Sequence, residues 1–168
     1  MSDVVLDANV LPDFLSQFFG PAERGTLRFS AEGRFCEQTA RRVNRIRLDH
    51  DGDRGRGIVV ASVIAFVELS RKWTNIVAGR FEPYQVAALL AQPPSWFSVA
   101  PCDEELLDFL LDVPAVVEVA DGRSEPIELY DALHVATAFS RGDHVWLATT
   151  DSRLRRIPRL QGRLLGRS

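Results

Sequence analysis

Four carboxylates stand where acids from distant parts of this chain can meet. Asp7 follows the apolar run Val4-Val5-Leu6, and Glu68 lies among Ile64, Ala65, Val67 and Leu69. Asp131 opens Asp131-Ala132-Leu133-His134-Val135-Ala136, and Asp151 closes Leu147-Ala148-Thr149-Thr150. Taken singly, each has a structural use. Asp7 can cap a helix, Asp131 can favour the positive end of one, and Asp151 can start a turn. Glu68 is harder to explain that way, because a carboxylate with apolar neighbours tends to be paired, protonated or metal-bound. Gathered acids repel, and their pKa values rise unless cations intervene. A hard divalent ion, Mg²⁺ or Mn²⁺, prefers oxygen ligands and relieves that repulsion. One or two such ions suit phosphoryl chemistry: one lowers the pKa of a bound water, the other steadies the leaving oxygen. No His/Cys set suits zinc. Cys36 and Cys102 are far apart, match no metal or redox spacing, and are expected as plain core or half-buried thiols.

The elements that must position these acids can be read from hydrophobic periodicity. Residues 3–7, 58–61, 96–100 and 145–148 read as strands, with a fifth, weaker signal at 162–165. Helices are expected over 10–19, stopped by Gly20-Pro21, and over 36–48, which is basic. Others are expected over 63–73 behind an N-capping Ser62, from Glu82-Pro83 to Leu90, from a capping Asp103 to Leu111, and over 127–140. Residues 112–126 fit no simple helix and leave an irregular strand or a loop open. Strands alternating with helices mean βα units around a mostly parallel sheet. Sites in such sheets form outside the carboxyl ends of the strands, at the switch point, and all four acids can reach that edge.

The 168 residues suit one domain over 1–168, and 46% hydrophobic content argues against disorder. No apolar run approaches the ~20 residues that span a bilayer. Met1-Ser2-Asp3 carries no basic leader, so a cytoplasmic protein with no membrane partner is expected. The net charge of −3 argues against generic nucleic-acid coating, but its distribution is uneven. Residues 23–57 hold nine Arg and six acids, 82–131 hold eleven acids and one Arg, and 153–168 hold six Arg and no acid. Two basic segments therefore flank an acidic middle, and local attraction for phosphate survives the negative total. The stretch 22–57 reads as an Arg-rich insertion.

Four segments in order carry a resemblance. Leu6-Asp7-Ala8-Asn9-Val10-Leu11, Ser62 through Leu69, Tyr130 through Ala138, and Leu147-Ala148-Thr149-Thr150-Asp151 look like the PIN-domain family, and most like VapC-type toxins of bacterial toxin–antitoxin pairs. The match spans about residues 3–157. The resemblance implies a three-layer α/β/α sandwich with a five-stranded, mostly parallel sheet in the order 3-2-1-4-5. It implies a Mg²⁺- or Mn²⁺-dependent endoribonuclease with Asp7, Glu68, Asp131 and Asp151 as the catalytic, metal-binding acids. Asn9, Ser62 and Thr149 match its supporting polar positions. A metal-activated water would attack the scissile phosphate and leave a 5′-phosphate and a 3′-hydroxyl. The implied partners are tRNA or rRNA, a cognate antitoxin, and a second copy in a homodimer. The insertion is longer than is usual in compact toxins of this kind.

Arg153, Arg155 and Arg156 closely follow Asp151 and are candidates for holding RNA phosphates; a solvated helix face is the bland alternative. His134 stands one turn beyond Asp131 and is expected as a hydrogen-bonded, half-core residue. Phe14, Phe18 and Phe19 read as core, while Trp73 and Trp96 fit either core or an interface. A haloacid-dehalogenase-type phosphatase needs an acid where Asn9 stands, and a response-regulator receiver needs a late Lys, whereas the one Lys is Lys72. The competing reading from a different class is a catalytically idle PIN-fold binding or scaffold subunit.

Overall fold

The computed structural model describes residues 2–20, 27–52, 57–77, 79–119 and 121–166. The calls on Pro21 and on the remainder of the 22–57 insertion lie outside these residues. In chain order the elements are β1 (Val4–Leu6), α1 (Leu11–Phe19), α2 (Glu37–Asp51), β2 (Val59–Ser62), α3 (Val63–Arg71) and a π-turn (Trp73–Val77). Then come α4 (Pro83–Ala91), β3 (Phe97–Ala100), α5 (Glu104–Leu110), β4 (Val116–Glu118), β5 (Ser124–Pro126) and α6 (Leu129–Ser140). β6 (Trp146–Ala148), two 3₁₀ turns (Ser152–Arg156 and Pro158–Leu160) and β7 (Leu164–Leu165) complete the described chain.

Local chemistry accounts for the element ends. Ser62 caps α3 by accepting from the Ala65 N–H at 3.1 Å, and Asp103 caps α5 through the Leu106 N–H at 3.1 Å. At the start of α4, Gln85 Oε1 accepts from the Glu82 N–H at 2.7 Å. β1 is apolar and buried on both faces, as a central strand of a parallel sheet must be. It pairs in parallel with β2 and β6, β2 pairs with β3, and β6 pairs with β7.

Numbered along the chain, the sheet order is β3-β2-β1-β6-β7 rather than the expected 3-2-1-4-5, with β6 and β7 in the places expected for the fourth and fifth strands. The difference arises at 112–126, where β4 and β5 form a separate antiparallel hairpin. Its residues escaped the reading because Val116 and Glu118 face outward around one buried Val117, and β5 ends on Pro126. The result is an α/β fold with a five-stranded parallel sheet.

Helices cover both faces. Val4, Leu6, Val59, Ala61 and Ala148 belong to a core with Phe14 and Leu15 of α1 and Val43 and Ile46 of α2. An aromatic cluster thickens that layer: the Phe14 and Phe29 rings stack with centroids 5.0 Å apart, and Trp96 is buried beside them. On the other face, Val5, Val60 and Leu147 pack beneath Val135, Ala138 and Phe139 of α6 and Leu154 and Ile157 of the 3₁₀ turns. Cys36 is half-buried, but Cys102 is exposed rather than in the core. No helix among the described residues is long and apolar enough to cross a membrane.

Candidate functional site

Strand alternation aims three side chains at α6. Asp7 follows Val5, Ser62 follows Val60 and Thr149 follows Leu147 at a spacing of two, so each shares the face that packs on α6. β1 and β6 are paired with Leu6 opposite Ala148, which brings Asp7 and Thr149 side by side at the next position. Thr149 Oγ1 donates to Asp7 Oδ2 at 2.6 Å, and both residues are buried.

The Asp7 carboxylate does not cap α1. Its backbone carbonyl accepts from Val10 and Leu11, while α1 receives no side-chain cap. Asp131 is likewise free of capping, since α6 starts at Glu128 without a side-chain cap. Asp151 does cap the first 3₁₀ turn, accepting from the Arg153 N–H at 2.8 Å.

Two internal cationic or donor groups tie the acids together. His134, from α6, is 1% exposed. Its Nε2 lies 2.7 Å from Glu68 Oε1 and 3.5 Å from Asp7 Oδ1. Its Nδ1 lies 3.2 Å from Ser62 Oγ, so an Nε2–H tautomer donates to Glu68 and accepts from Ser62. Arg153 spans the other two acids, with Nη2 at 2.7 Å from Asp131 Oδ2 and 2.6 Å from Asp151 Oδ2. The four predicted acids therefore fall into two bridged pairs. They also feel one another: burial, then the charge of Asp151, and more weakly that of Asp7, raise the Asp131 carboxyl above its ordinary value against the pull of Arg153. Burial pushes the Glu68 carboxyl up as well. The His134 hydrogen bond and the charges of His134 and Lys72 outweigh burial and hold Glu68 below its ordinary value.

The supporting residues are placed unevenly. Thr149 orients Asp7, and Ser62 is a buried cap that also holds His134. Asn9 accepts from Arg34 Nη1 at 3.1 Å. It lines a cavity of about 310 Å³ on the Glu68 side, walled by Asp13, Gly33, Arg34, Lys72 and Arg80. Arg153 is not a spare phosphate ligand, since its guanidinium is engaged by both carboxylates. Arg155 and Arg156 are exposed and line a cavity of about 460 Å³ beside Arg153.

Sequence reasoning missed Asp13, which is 7% exposed. It accepts from the Arg34 N–H at 2.6 Å and pairs with Arg80 at 2.5 Å. The signal was available: an acid between Leu11 and Phe14 is as anomalous as Glu68 among its apolar neighbours.

The donor set suits a hard cation in kind, because all four acids offer oxygen. As arranged, Arg153 and His134 supply the charge or donors between them. Among the described residues, no group of three or more His, Cys, Asp or Glu is arranged to hold a metal ion. No family model, curated protein or solved structure matches the chain.

Proposed function

We propose that this chain is a Mg²⁺- or Mn²⁺-dependent endoribonuclease of the PIN type, acting as the toxin of a toxin–antitoxin pair. The observation that carries the reading is the gathering of Asp7, Glu68, Asp131 and Asp151 outside the carboxyl ends of β1 and β6, tied by His134 and Arg153. The reading is supported by the two bridged pairs lying near enough for the charges of Asp151 and Asp7 to raise Asp131, at the edge where parallel sheets carry their sites.

A bound divalent ion, held by Asp7, Asp131 and Asp151 with Glu68 nearby, would supply an acidified attacking water and charge neutralisation at the phosphate. The chain's own groups have distinct tasks. Thr149 fixes the Asp7 carboxylate so that its remaining oxygen faces the cluster. His134 holds Glu68 in place and favours its ionised form, the form that would contact a cation. Arg153 neutralises Asp131 and Asp151 and can turn to the phosphate when their charge is otherwise met. Arg155 and Arg156 offer phosphate contacts on the same side. Substrate is read as tRNA or rRNA, and an antitoxin and a homodimer belong to the same proposal.

The bridging by Arg153 and His134 also favours the second reading, an idle binding or scaffold subunit whose acids serve the fold. Metal separates the two. An enzyme's melting temperature rises with Mn²⁺, by about 2.7 kcal/mol of stability at a hundredfold excess over Kd. It also cleaves tRNA or rRNA under the same conditions. Asp7→Asn is expected to abolish both responses. A parent protein that ignores Mn²⁺ and leaves both RNAs intact is the idle subunit.

A further inference from the structure

Among residues other than the four acids, α2 and the β6–β7 edge enclose an open groove of about 860 Å³. Gln38, Arg41, Arg42 and Arg45 stand along one wall at helical spacings of three, four and seven. They form one stripe, opposite the buried Thr39, Ala40, Val43 and Ile46. Arg155 stands on the other side, and no carboxylate lines the groove among the described residues.

Among the described residues, no buried ion pair neutralises Arg41, Arg42 or Arg45. The Arg42 guanidinium lies over the Trp146 ring, 3.6 Å from its centroid, and burial lowers its pKa. Arg41 touches only Glu37, in an ion pair whose side chains are 76% and 60% exposed, a contact that contributes little. Arg45 makes no ion pair among the described residues. A stripe from residue 38 to residue 45 covers about 10 Å of helix, longer than a single phosphate needs. Its floor offers little apolar surface beyond the half-buried Leu164, because Leu160 is buried and Trp146 is covered by Arg42.

The groove also leads somewhere. Arg155 and Gln161 line both this groove and the cavity that contains Arg153 and Arg156. Arg153 in turn holds Asp131 and Asp151. Guanidinium groups therefore run from α2, round the β7 edge, to the acid cluster.

We infer that this groove is a track for the phosphate backbone of the RNA substrate, with the Arg41–Arg42–Arg45 stripe gripping the strand at a distance from the acids and Arg155 passing it to them. The inference rests on the ribonuclease reading for its choice of RNA among polyanions.

The test is binding of labelled tRNA in EDTA, followed over a range of salt, for the full chain and for Arg45→Glu and Arg41→Glu. Both side chains are exposed, and circular dichroism checks that the variants fold. The expected result is an affinity loss of about tenfold or more, with the slope of log affinity against log salt reduced by about one for each lost contact. With Mn²⁺ added, KM for tRNA cleavage rises and kcat changes little. Unchanged affinity and slope overturn the track, even if tRNA is cleaved and the nuclease stands. Arg45-dependent binding without any cleavage supports the track and sinks the nuclease instead. Binding of polyglutamate, but not of tRNA, overturns the track and gives the groove to an acidic protein.

Discussion

Arg153 donates through Nη2 to the Asp131 carboxylate at 2.7 Å, while the same nitrogen reaches Asp151 at 2.6 Å. One guanidinium thus bridges two acids that otherwise repel and offsets one of their two charges, and those acids hold it charged: the Asp151 hydrogen bond, against burial, raises its pKa above the ordinary value. Arg153→Ala removes the guanidinium from both half-buried carboxylates and leaves Asp151 its bond from the backbone N–H of residue 153. The metal-free variant should lose about 1–3 kcal/mol, a drop in melting temperature of several degrees. Mn²⁺ should then stabilise the variant more than it stabilises the parent, because the vacated charge is met by the ion. Melting curves in EDTA and in Mn²⁺ check both parts, and a variant that melts with its parent in EDTA shows the bridge to be idle.

Glu68 and Asp131 should respond to pH with opposite signs. His134 and Lys72 hold Glu68 below its ordinary pKa despite burial. An acid lowered on folding stabilises the fold above its unfolded value of about 4.3, and that contribution is lost as pH falls through the folded value. Glu68→Gln is therefore expected to cost modest stability at neutral pH, with the gap to the parent closing in acid. RNA cleavage should fall far more, by about a hundredfold or beyond. Urea titrations at several pH values, read beside turnover, decide the matter. A variant that fails to fold marks Glu68 as structural.

For Asp131 the shift is upward, from burial and the Asp151 charge. An acid raised on folding adds stability that is fully present below its unfolded value, about 3.9, and is lost as pH rises through the folded value. At neutral pH the metal-free parent has lost that contribution. Asp131→Asn should raise its melting temperature at pH 7–8, and the gain should shrink as the buffer is made acidic. The opposite trend would mean that the Arg153 pair outweighs burial and repulsion.

Of the acids, Glu68 alone breaks a local rule, as a carboxylate inside an apolar helix. Asp7, Asp131 and Asp151 each have a structural use taken singly, and they were legible because all four fall where one edge of the sheet can gather them. Periodicity likewise carried the main strands and helices, since β1, β2 and β6 are apolar runs and α6 is a long apolar helix. The β4–β5 hairpin was not legible, because one buried residue, Val117, leaves almost no pattern to read. Arg153 could not be told from Arg155 or Arg156 in one dimension. Only the fold shows that its side chain turns inward onto Asp131 while the other two stay exposed. Nor could spacing reveal that Asn9 is held by Arg34.

Arg155 sits where the two arginine-lined cavities meet, and Arg156 lines the nearer one. Replacing both with Ala should weaken tRNA binding and flatten its salt dependence, by about one unit of slope for each phosphate contact removed. The acids and their bridges are untouched by the change, so Mn²⁺ should stabilise this variant as it does the parent. Anisotropy titrations across salt concentrations measure the slope. A parental slope would take both arginines off the binding surface.

Gly33 tests the cavity on the Glu68 side. Its φ of +54° lies in the left-handed region, which costs other residues about 1–2 kcal/mol. A Cβ there would also sit 2.6 Å from Asp13 Oδ2, the oxygen that accepts from the Arg34 N–H. Gly79 provides the control, because its φ is +80° and an added Cβ meets nothing within 4 Å. Gly79→Ala should therefore show the backbone cost alone. Gly33→Ala should lose more, since Asp13 must retreat and loosen its hold on Arg34 and Arg80 together. Urea denaturation of the two variants gives the difference directly, and equal losses would mean that Asp13 yields freely and does not brace this wall of the cavity.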